Sequence, residues 1–115
     1  MATIKSHTDL PQSKKLAEFL PLESADMHYV LIDTDKNKYS AGFGKYIGIL
    51  PHHPAWSLAA LLSILPYPSL HKTFAGWRCD SYDKEGKTCK LGENTDNPVD
   101  TCVAMIKHLH ELNLL

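Results

Sequence analysis

The end of the chain constrains its folding most. Asp96-Asn97-Pro98-Val99-Asp100 opens a segment with apolar residues at Val99, Cys102, Val103, Ile106, Leu109 and Leu112. Steps of three and four mark one face of an amphipathic helix. Asn97 suits the cap, Pro98 the first helical position, and Asp100 the positive end of the helix dipole. The spacing predicts a helix from 97 to about 113. Its stripe must be buried against other elements, so the chain is a folded domain. The helix assigns no chemistry.

The length of 115 residues suits one core and one globular domain, 1–115. Twelve Lys and Arg against 13 Asp and Glu leave a formal net charge of -1, which argues against a general nucleic-acid binder. The longest apolar run, 55–65, is bounded by Pro54 and Pro66 and is too short to span a bilayer. The first ten residues lack the basic-then-apolar order of a secretory signal. Three cysteines, Cys79, Cys89 and Cys102, are an odd number that fits free thiols in a reducing cytoplasm. A cytoplasmic location without membrane contact is the expectation.

Between the termini the pattern alternates. Residues 8–20 hold a helical pattern, with Leu16, Phe19 and Leu20 on one side, and Pro21 stops it. Met-His-Tyr-Val-Leu-Ile-Asp at 27–33 is dense in strand formers. A polar turn follows at 34–38, then an irregular strand over 39–50 broken by Gly42, Gly44 and Gly48. Pro51-His52-His53-Pro54 reads as a rigid connector and 55–65 as a short buried helix ended by Pro66-Tyr67-Pro68. A strand around 77–82, a turn at Asp83-Lys84-Glu85-Gly86 and a returning strand over 88–91 form a hairpin. The sum is an α+β domain: a small antiparallel sheet of about four strands packed with about three helices.

Four segments carry a resemblance. They are Gln12-Ser13-Lys14-Lys15-Leu16, Ser24-Ala25-Asp26-Met27, the run from Pro54-Ala55-Trp56-Ser57 to Leu65-Pro66, and Asp96-Asn97-Pro98-Val99-Asp100-Thr101-Cys102-Val103-Ala104-Met105-Ile106. Together they resemble a family of small uncharacterised proteins of gut Bacteroidales and their mobile elements or phages. The resemblance spans residue 8 to the end. It implies an α+β fold and a bacterial or phage origin, and supplies no catalytic residues.

The residues that suggest chemistry each have a plainer reading. Asp33, Asp35 and Asn37 mimic the first ligands of an EF-hand loop, but Lys38 stands where glycine is needed and Gly44 where glutamate is needed. They are read as a solvated turn. Gly42-x-Gly44-x-x-x-Gly48 misses the dinucleotide fingerprint by one residue and is read as glycines relieving a twisted strand. Ser69-x-x-Lys72 matches a nucleophile pair in form only and sits in an apparent loop.

Seven histidines raise the question of a metal. His52 and His53 diverge on an extended backbone, and His108 and His110 do not share a helix face. Cys79 and Cys89 face each other across the hairpin if the register allows, but the set lacks zinc spacing. No metal and no cofactor are expected. Trp56 and Trp77 are candidate binding anchors, with core packing as the competing reading. Lys84, Lys87 and Lys90 are a candidate basic patch.

The expected function is therefore a small non-catalytic protein-interaction module, an accessory of a mobile element or phage, with an unidentified protein as partner. A nucleic-acid-binding accessory domain is the first alternative, and a small enzyme with no recognisable motif the second.

Overall fold

The computed structural model describes residues 5–115, with backbone only for residues 88–90. Capping chemistry starts each helix. Asp9 opens α1 (Leu10–Leu16): its carboxylate accepts from the Gln12 amide at 2.8 Å while the Gln12 side chain accepts from the Asp9 amide at 3.1 Å. The helix proper is shorter than the 8–20 pattern, because 17–20 continue as turns; the Leu20 amide still reaches the Leu16 carbonyl. A short 3-10 turn, Leu22–Ser24, then leads into the sheet.

The first sheet holds β1 (Met27–Asp33), β2 (Lys38–Phe43) and β3 (His52–Ala55) in the order β2-β1-β3, all antiparallel. The polar turn between β1 and β2 has Asn37 at φ 51. β3 replaces the rigid connector expected at 51–54. Its proline is tolerated because the odd-numbered residues of β1 face β3: Leu31 donates to the Pro51 carbonyl at 2.9 Å, in line with the pairs Met27↔Ala55 and Tyr29↔His53. Residue 54 therefore points its backbone to the free side, where a missing N–H breaks no rung.

The buried helix expected over 55–65 is α2 (Leu58–Ile64), capped by the Ser57 hydroxyl, which accepts from the Ala60 amide at 3.2 Å. It starts later because the sheet claims Ala55, and Trp56 exchanges bonds with Thr8. The chain reverses at Tyr67, φ 41, into β4 (Pro68–Thr73), a strand where a loop was expected. β5 (Gly76–Tyr82) and β6 (Thr88–Lys90) complete a second antiparallel sheet, β4-β5-β6. Gly76 sits at φ 125 with the Thr95 carbonyl against its α-carbon, and Trp77 and Thr95 exchange backbone bonds of 2.8 Å there.

α3 (Pro98–Glu111) is the helix read from the chain's end, with Asn97 accepting from the Asp100 amide at 3.1 Å. Three helices and antiparallel strands make the α+β class expected; the strands are divided between two sheets. α3 packs on β5 and on α2. Between them lie Leu16, Trp56, Leu61, Cys79, Val99, Cys102, Ile106 and Leu109, none with any exposed surface. Each large aliphatic side chain buried there contributes roughly 1.5–3 kcal/mol before entropy is subtracted. Among the described residues no helix is long and apolar enough to cross a membrane.

Candidate functional site

Alternation along β1 sets Met27, Tyr29 and Leu31 on one face of the first sheet and His28, Val30 and Ile32 on the other. On β3 the pairing adds His53 and Ala55 to the first face and His52 and Pro54 to the second. The two adjacent histidines thus diverge. His53 lies 5.7 Å from the Tyr39 ring, and burial, helped by Lys14 and His52, lowers its pKa. His28 and His52 share the opposite face on neighbouring strands. Gly42 stands opposite His28, where a β-carbon would come within 2.8 Å of the ring Nε2. Glycine there leaves room for the imidazole.

The loop 44–51 folds over this face and is held by those two rings. His28 Nδ1 bonds the Gly44 carbonyl at 2.9 Å, and His52 Nδ1 bonds the Leu50 carbonyl at 3.1 Å. A carbonyl only accepts, so each Nδ1 donates and, in the neutral ring, each Nε2 is left as an acceptor. Tyr46 packs its ring 5.5 Å from His28 and 4.8 Å from His52, and its hydroxyl accepts from the Leu50 amide at 3.3 Å.

The result is a groove of about 350 Å³. Its apolar wall is Leu22, Ala25, Met27 and Pro54; its polar wall is Glu23, His28, Lys45, Tyr46 and His52. The same loop turns Ile47 and Ile49 almost wholly into water, at 95% and 101% relative exposure, with Leu50 and Leu22 about half exposed. Large aliphatic side chains thus stand in water beside the groove, an arrangement unfavourable for an isolated molecule.

The residues singled out from the sequence lie elsewhere. Trp56 is wholly buried, its Nε1 donating to the Ser24 hydroxyl at 3.0 Å. It is packed in the core cluster with Leu16, Leu61 and Ile106. Trp77 is half-buried, with Lys72 Nζ 5.8 Å from its ring. Lys84 and Lys87 are exposed on the β5–β6 turn, where the Asp83 carboxylate accepts from the Glu85 and Lys87 amides. The Lys90 side chain lies outside the described residues.

The Cys89 side chain, considered as a partner of Cys79, lies outside the described residues. The buried Cys79 of β5 lies beside the buried Cys102 of α3. The Cys79 amide donates to Thr101 Oγ1 at 3.1 Å, which sets strand and helix in register there. The Cys79 thiol donates to the Asp80 carbonyl at 3.9 Å, and the neighbouring Cys79 together with burial pushes the Cys102 thiol up.

Among the described residues no three His, Cys, Asp or Glu side chains converge on a metal position. The Asp33 carboxylate accepts from the Asp35 and Lys36 amides at 3.1 and 3.2 Å, as a turn does. Ser69 and Lys72, three apart on β4, face opposite sides of the sheet.

Two polar hubs escaped sequence reasoning. Asp100 accepts from Lys5 Nζ and Gln12 Nε2 at 2.8 Å each and from Asn97 Nδ2 at 2.9 Å. Thr8, fully buried, takes the Trp56 amide at 3.1 Å, shares a 2.7 Å bond with the Ser13 hydroxyl, and offers its carbonyl to the Tyr29 hydroxyl at 2.8 Å. Both are built from residues far apart in the chain, which no local pattern reveals. No family model, curated protein or solved structure matches the chain.

Proposed function

We propose that the protein is a small non-catalytic interaction module that binds another protein at the groove under loop 44–51. The observation that carries this reading is the set of water-facing Ile47, Ile49, Leu50 and Leu22 around a part-apolar groove. The groove's polar wall, with the His28 and His52 rings, Glu23 and Lys45, stands beside Leu22, Ala25, Met27 and Pro54 and suits an apolar side chain flanked by polar groups. Consistent with the resemblance, we place the module in the bacterial cytoplasm as an accessory of a mobile element or phage. Its buried thiols, Cys79 and Cys102, suit a reducing compartment.

Nucleic acid is the weaker partner. Lys84 and Lys87 alternate with Asp83 and Glu85 on the same turn, so the local field largely cancels.

The test is paired capture from native-host extract by the wild type and by Ile47→Glu/Ile49→Glu. Both side chains are exposed, so the variant should melt as the wild type does. A protein enriched by the wild type, and reduced at least tenfold by the variant, supports the reading. Equal capture by both rejects this surface. Micromolar binding of duplex or single-stranded probes at physiological salt, abolished by Lys84→Glu with Lys87→Glu, replaces the reading with the nucleic-acid one.

A further inference from the structure

Among the described residues, one of the four outer strands has an open edge. Odd-numbered residues of β1 turn their backbone groups toward β3, as the Leu31 amide shows by bonding Pro51. Even-numbered residues then face β2, and the Gly44 amide on the Asp26 carbonyl at 2.7 Å continues that side of the ladder. In the register His28↔Gly42 and Val30↔Ser40, the groups of Ser40 and Gly42 are consumed by β1. The amides and carbonyls of Tyr39, Ala41 and Phe43 point the other way, away from the sheet.

The other three edges are defended in the ways that block strand addition. β3 carries Pro54 on its free side, and its end is covered where Thr8 bonds Trp56 and His7 bridges Ser57. β4 begins with Pro68 and carries Lys72. β6 is three residues long. β2 has no proline, and its one charge, Lys38, is at its end.

The geometry points to a second copy of this chain as the occupant of β2, paired antiparallel with its own β2 about a twofold axis at Ala41. The edge is self-complementary in this register. Ala41 meets Ala41 of the second copy and Tyr39 meets Phe43, and in each of these pairs the free backbone groups face one another. Phe43, 83% exposed in one copy, is then covered by the half-buried Tyr39 of the other, a favourable cross-strand aromatic pair. Ser40 falls opposite Gly42 and Lys38 opposite Gly44, so no like charges meet. Because the far edge, β3, is closed, the pairing ends at a dimer. It uses the backbone edge of β2, not the water-facing Ile47 and Ile49, so the two proposals are tested at different residues and either can fail alone.

Sedimentation equilibrium of the whole chain from about 1 µM to about 1 mM tests the pairing. The expected result is a reversible monomer–dimer equilibrium. Ala41→Lys sets two ammonium groups against each other at the axis and should abolish the dimer. Ala41→Glu alone should do the same, and an equimolar mixture of the two should restore it as a heterodimer. Ala41 is exposed, so both variants should keep the wild-type circular dichroism. Amide exchange of wild-type Tyr39, Ala41 and Phe43 should slow as concentration rises, a readout that needs no variant. A wild type that stays monomeric to about 1 mM, or a dimer that Ala41→Lys leaves intact, overturns the inference.

Discussion

Asp100 is the residue on which three parts of the chain depend. It lies in the first turn of α3, where the dipole favours a negative charge, and holds Lys5 from the N-terminal segment and Gln12 from α1. Burial pushes its pKa up, but bonds from Lys5, Gln12 and Asn97 outweigh that and hold it below 3.8. Burial likewise works to lower Lys5, and bonds to Asp100 and Asp9 carry it above 10.5. A depressed carboxylate stabilises the fold above its unfolded pKa and loses that contribution as pH falls through the folded one. A raised amine does the converse, losing its contribution as pH rises past the folded value. Asp100→Asn should therefore cost about 1 kcal/mol near pH 7, since both partners are about a third exposed. The gap between variant and wild type, followed by urea unfolding across pH, should narrow below pH 3.8 and again above pH 10.5. A gap independent of pH would show that the ion pair contributes nothing. Asp100 was legible in the sequence as a helix-start residue; its partners, 88 and 95 positions away, were not.

Elements were legible where a local pattern acts alone. α3, β1, β5 and the turn after β5 form as read, because caps, period and turn residues agree there with what packing requires. β3 and β4 were missed for one physical reason. Prolines at 51, 54, 66 and 68 read as connectors, yet a proline on an edge strand whose backbone faces the free side, as at 54, sacrifices no rung. Whether a strand is an edge depends on its partners, which local patterns do not encode. The groove was illegible for the same reason: loop 44–51 acquires its shape from His28, twenty residues upstream of its middle. At this scale the helix–helix contact is decisive. Ile106 is fully buried where α3 meets the α2–β5 core. Ile106→Asp places an unpaired carboxylate there and should destabilise the protein by at least ~3 kcal/mol, several degrees or more in melting temperature. An unchanged melting temperature would remove the assignment of that face.

The molecule as a whole is elongated, 48 × 33 × 21 Å, because its two sheets do not join into one. Nearly all the deeply buried side chains gather around α3, α2 and β5. The first sheet adds Met27 and Ala55 and is tied on through α1 and through Thr8, whose backbone and hydroxyl hold Trp56 and whose carbonyl holds Tyr29. Local opening requires least free energy where few apolar contacts are lost. The amides that join β1 to β2 should therefore exchange their hydrogens faster than those of α3 and β5. Thr8→Val keeps the shape of that tie but removes the oxygen that accepts from Trp56 and pairs with Ser13. It leaves buried polar groups unpaired, a loss of about 1–3 kcal/mol. The expected signature is selective: protection of β1, β2 and β3 should fall further than that of α3. A uniform fall would mean that the two sheets open together, as a single cooperative unit, and that the tie at Thr8 is not a boundary between them.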